Sequence, residues 1–92
     1  MDVIVLKVSS KSNPNLVAGA LTGTIKEAGR AELQAIGAGA INQAIKAVAI
    51  TRNIFAQSDI DIVCYPSFVD LTIDDQIRTS IKLVVEPRLK NT

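Results

Sequence analysis

The chain predicts an α/β fold, an α+β two-layer sandwich with element order β-α-β-α-β-β, a mixed four-stranded sheet and two helices. Three observations predict it. A β-branched run at residues 3–8 gives way to helical apolar spacing after Asn13-Pro14. A second strand-then-helix pattern follows over residues 31–55. The chain then closes on two long apolar runs separated only by Asp74-Asp75.

Each element carries its own signal. Residues 3–8 read as a buried strand because they are apolar and largely β-branched. Asn13 suits a helix cap and Pro14 the first helical position, where a missing N–H costs nothing. Val17, Leu21, Ile25 and Ala28 then recur at helical spacing, and Gly29 is placed to end the helix. Gly19 and Gly23, four residues apart, suggest close packing of this helix on the sheet. Residues 31–37 form the second strand, and Gly37-Ala38-Gly39 breaks it. The second helix is expected over residues 40–55. It is apolar on more than the third to half of its girth that one covering layer requires, so a second partner surface is expected. Residues 62–73 form a strand with Pro66 at a bulge or edge. Asp74-Asp75 makes a tight turn into the last strand, residues 76–86, which Pro87 ends. On that strand Ile77, Thr79, Ile81, Leu83 and Val85 point one way, while Gln76, Arg78, Ser80, Lys82 and Glu86 point the other.

With 92 residues there is room for one domain, residues 1–88, and a short tail, residues 89–92. The chain contains no histidine and one cysteine. It therefore lacks the usual neutral-pH general base and any zinc-ligand cluster, and no catalytic residue, metal site or cofactor is expected. Cys64 lies in an apolar run and reads as a small core residue. One cysteine cannot close an internal disulfide, and no apolar stretch approaches membrane-spanning length; a cytoplasmic protein is expected. The net charge of +1 argues against strong general coating of nucleic acid. The charge is uneven, however. Residues 57–75 carry five aspartates and no base, whereas residues 76–92 carry Arg78, Lys82, Arg88 and Lys90 against Glu86 alone.

Two loops converge on one expected edge of the sheet. Ser10, Lys11, Ser12 and Asn13 follow the first strand, and Gly37, Ala38 and Gly39 follow the second. Both leave carboxyl ends of strands, the side where open α/β sheets bind ligands. Amides at the start of the second helix can hold a phosphate, with Asn42 in its first turns. The bend lacks the further residues of a P-loop or a Rossmann fingerprint. Arg52, Arg78 and Lys82 are candidates to assist. No aromatic platform for bases is evident, and Tyr65 and Phe68 read as core or interface.

Residues 7–20, residues 34–50 and Glu86-Pro87-Arg88 closely resemble the bacterial stage V sporulation protein S family. The run from Ala40 through Arg52-Asn53 to Phe55 is similar to the second helix of Alba chromatin proteins, and the family looks like part of that wider Alba-like group. The resemblance implies a homodimer or higher homo-oligomer that contacts DNA or RNA in sporulation or related development. Ile41, Ile45, Val48 and Phe55 are the expected dimer interface. Alba proteins place lysines after the first strand, arginines before the second helix and a long basic hairpin at the end. Here these places hold Lys11 alone, two glycines, and a short acidic turn. Weak or selective nucleic-acid binding is the expectation. A protein-interaction or assembly module is the alternative, and a nucleotide sensor built on the glycine bend is a third reading.

Overall fold

A computed structural model describes residues 3–89. Its elements are β1 (Val5–Val8), α1 (Pro14–Ala28), β2 (Ala31–Ala35), α2 (Ala38–Ala56), β3 (Ile60–Ile73) and β4 (Gln76–Leu89). The sheet runs β1-β2-β4-β3, with β1 parallel to β2 and the other neighbours antiparallel. The mixed α+β two-layer fold expected from the sequence is the fold observed.

Local chemistry sets the helix ends. The Asn13 side chain accepts from the Asn15 amide at 2.8 Å, and Pro14 opens α1. Gly29 adopts φ +88° and donates its N–H to the Ile25 carbonyl at 2.9 Å. The core lies between the helices and one sheet face. Leu21 and Ile25 of α1 and Ala44, Val48 and Phe55 of α2 meet Leu33, Leu83, Val85 and Ile62 of the sheet. The opposite face bears Val5 and Lys7 of β1, Glu32 and Gln34 of β2, and Lys82 and Val84 of β4, which share a side by strand pairing.

The β3–β4 hairpin outgrows the sheet. Both strands have 14 residues in unbroken register, yet β2 pairs only with Ile81 to Val85. Residues 69–80 therefore form a free arm, and the molecule is 48 Å long by 27 and 20 Å. Asp74 and Asp75 both have positive φ, 52° and 62°, the geometry of a two-residue turn matched to strand twist.

Several expectations are corrected here. Pro87 does not end β4; it pairs with Ile62. Beyond Val85, β4 has no β2 neighbour, so a missing N–H on that side breaks no ladder bond. Of the two places expected for Pro66, the edge is the one observed: it sits on edge strand β3 in unbroken register, without a bulge. The hairpin that the short Asp74-Asp75 turn suggested is a long arm with an acidic tip. Leu89 pairs with Ile60 instead of starting a tail, and the rest of the expected tail, residues 90–92, lies outside the described residues. Ile77 shares a face with the buried Leu83 but is 74% exposed, because no helix covers the arm. Phe68 and Tyr65 are likewise not core, at 78% and 47% exposure. Ser80, expected outside, is buried and donates to the Val69 carbonyl at 2.9 Å. Gly19 and Gly23 are solvent-exposed, with nothing within 4 Å of where a Cβ would sit, so they make no packing seam.

Candidate nucleic-acid interface

The serine–lysine turn and the glycine bend lie side by side. The turn is tied internally. Ser12 Oγ accepts from the Ser9 amide at 2.9 Å, and Ser9 Oγ accepts from the Lys11 amide at 3.2 Å. The Gln43 side chain of α2 donates to the Ser12 carbonyl at 2.9 Å and joins turn to helix. A Cβ on Gly39 would stand 2.9 Å from the Ser10 Cβ, closer than side-chain carbons approach. Glycine is thus what lets the turn rest on the helix start. Gly37, at φ +89° and ψ 158°, makes the bend and supplies no side-chain cap. The amides of Ala38, Gly39 and Ala40 consequently have no helical partner and lie at the positive end of α2.

A cleft of about 530 Å³ opens beside this rim. Its lining comes from Lys7, Val8, Ser9 and Ser10, from Gln34 and Ile36, and from Leu71, Thr72 and Ile73 of the arm. Strand pairing puts Lys7, Gln34 and Lys82 in one row across three strands, and Arg78 opposite Leu71. Adjacent strands are about 4.8 Å apart, so the Lys7 and Lys82 backbones are about 10 Å apart. Among the described residues Lys7, Lys11, Arg78 and Lys82 form no ion pair.

Most of the residues that the sequence singled out gather here. Ser10, Lys11, Ser12 and Asn13 form the turn and α1 cap; Gly37, Ala38 and Gly39 form the bend; and Asn42 is exposed in the second turn of α2. Lys82 and Arg78 flank residues of the cleft. Arg52 does not join them. It lies 13 residues beyond Gly39 on the same helix, about 20 Å along its axis. Its guanidinium donates to Asp61 at 3.0 Å, and Arg88 grips the other oxygen at 2.7 Å. Those hydrogen bonds, from Arg88 first and Arg52 second, hold the Asp61 carboxyl below its ordinary value.

Val48 and Phe55, expected at a dimer interface, pack in the chain's own core, and Ile41 is partly buried against it. Ile45 remains open at 46% exposure. A partner on this face would meet Ile45 and not Val48 or Phe55. Burial pushes the Cys64 thiol pKa up, which disfavours the reactive thiolate. The described residues contain no group of three or more metal-ligating side chains and no helix long and apolar enough to cross a membrane.

The family model for Stage V sporulation protein S matches residues 4–88, nearly the whole chain. The chain belongs to that family. It is accordingly a small sporulation-related protein of a group not known for enzymes. The match takes in β1, both loops of the rim, α2 and all but the last residue of β4.

Lys7, Gln34 and the arm residues of the cleft join the site only in the structure. Alternation along β1 turns Lys7 outward, a signal masked by the apolar residues on either side of it. Gln34 was visible as the polar member of an alternating strand. Nothing local marks Leu71 to Ile73, whose place depends on how the hairpin twists.

Proposed function

We propose that this protein is a non-enzymatic nucleic-acid-binding regulator, acting as a dimer in sporulation or related bacterial development. The observation that carries the reading is the contact between the Ser10 turn and the Gly39 bend. It sets uncapped helix amides next to Lys11, with Lys7 and Lys82 alongside on the sheet. A phosphate at the rim would meet amide donors and a positive helix end, and a neighbouring phosphate would meet a lysine. Three such cations cannot sustain strong coating, so binding is weak or selective. The dimer reading is supported by the apolar side chains that one chain leaves uncovered on α2, Ile45 and Ile54.

Titration of DNA and RNA at two salt concentrations tests this. About three lysine contacts give a log–log salt slope of about −2 to −3. Lys11→Glu should weaken binding. No binding at low salt, or binding indifferent to that substitution, overturns the reading. Sedimentation at micromolar concentration tests the dimer, and a stable monomer contradicts it.

One observation favours a second reading, a protein-interaction module. Phe68, at the base of the arm, and Ile77, on it, share one face of the hairpin and are 78% and 74% exposed. A protein partner whose capture survives nuclease treatment and is lost with Phe68→Ser would support it.

A further inference from the structure

We propose that the cleft between the rim and the arm takes one unstacked nucleotide, so that the protein prefers unpaired to paired nucleic acid. This rests on the nucleic-acid reading and goes further by naming what the cleft holds. Its volume of about 530 Å³ falls within the roughly 300–1,000 Å³ of sites that enclose small organic ligands. Its walls are aliphatic and come from separate elements, Ile36 after β2 and Leu71 and Ile73 on the arm. Such walls suit the two faces of a flat ring. Gln34, which also lines the cleft, carries both a carbonyl acceptor and amide donors. The edge of a nucleobase presents the same mixture. Lys7 adds an ammonium, and the hydroxyl of Ser10 lies next to the bend that leads to the α2 amides.

These polar groups are free for a ligand. Among the described residues the side chains of Lys7, Ser10 and Gln34 take part in none of the chain's side-chain hydrogen bonds or ion pairs. The base would sit in the cleft while its phosphate reaches the rim. A base stacked inside a duplex cannot enter a concave slot, whereas an unpaired one can be splayed into it. Phosphate contacts alone carry no such preference, because both strand states present them.

The test compares a short single-stranded RNA or DNA with the duplex of the same sequence at low salt, using the native protein, Gln34→Leu and Leu71→Ala. Neither residue belongs to the buried core, and melting curves verify folding. The native protein should bind the single strand about tenfold more tightly, the equivalent of one or two good polar contacts. Both variants should erase that preference and leave duplex affinity in place. Equal affinity of the native protein for both forms, or a preference that survives both substitutions, overturns the cleft assignment and leaves the rim reading intact. Backbone amide shifts with nucleoside monophosphates separate the sources. Shifts at Gln34 and Leu71 without binding of any polymer support the cleft and overturn the nucleic-acid reading. No response to monophosphates or polymers overturns both.

Discussion

The two ends of α2 handle positive charge in opposite ways. At its start the helix has no side-chain cap, and nearby Lys7, Lys11 and Lys82 have no carboxylate partner among the described residues. Toward its far end Arg52 and Arg88 close on Asp61, both oxygens of the carboxylate are used, and three elements are stitched together. Counting basic residues would treat both ends as anion sites, with three lysines at one and two arginines at the other. Partnership separates them. A cation already paired has its field largely cancelled, while an unpaired lysine beside exposed amides keeps its own. A net charge of +1 is therefore a poor guide to where an anion would bind.

The largest effect expected from breaking this contrast is on binding. Replacing Lys7 and Lys82 together by glutamate should lower nucleic-acid affinity about a hundredfold at low salt, close to 3 kcal/mol. Arg52→Ala should leave affinity within a factor of about two. Fluorescence anisotropy on both variants measures the difference, and equal losses would erase the distinction between the two ends.

Next comes the rim itself. Gly39→Val must push the Ser10 turn away, because the added Cβ would stand 2.9 Å from another side-chain carbon. Destabilisation of about 1–3 kcal/mol is expected from such overpacking, read by urea unfolding. Ser10→Gly in the same chain should restore part of it. If the single variant melts like the native protein, the turn and the bend are not in contact.

The paired end can be tested through pH. Asp61 has a lowered folded-state pKa, so its contribution to stability is present above the unfolded value and is lost as pH falls through the folded one. Asp61→Asn removes that dependence. The native and variant melting temperatures should differ near neutrality and converge below the ordinary carboxylate value of 3.8. A constant gap down to strong acid would show that the arginines do not act through this carboxylate.

The smallest effect concerns neither end. The Thr22 hydroxyl is buried without a hydrogen-bond partner among the described residues. Thr22→Val removes that unmet need at nearly equal volume. Stability should stay level or rise by up to about 1 kcal/mol, and a clear loss would reveal a partner for the hydroxyl.

The sequence made much of this fold readable because the decisive signals are local. Asn13-Pro14, Gly29 and Asp74-Asp75 each act within a few residues, and each sits where local chemistry predicts. The rim was readable for a related reason, since both loops leave neighbouring parallel strands at the same end. What escaped depends on distant pairings. The row of Lys7, Gln34 and Lys82 exists only in this strand order and register. Arg52 looked available because its partner is fixed by the packing of α2 against β3 and not by helical spacing. Ile77 and Phe68 fit a buried alternation, but the helices stop short of the arm, and alternation says nothing of what lies above a strand.

Amide chemical-shift mapping at low salt, with short RNA and DNA oligonucleotides, tests the central claim most directly. The account predicts shifts concentrated at residues 7–13, at residues 37–42 and around Gln34 and Lys82, with Arg52, Asp61 and Arg88 unmoved. Shifts centred on Arg52 and Arg88, with the serine turn and glycine bend silent, would contradict it.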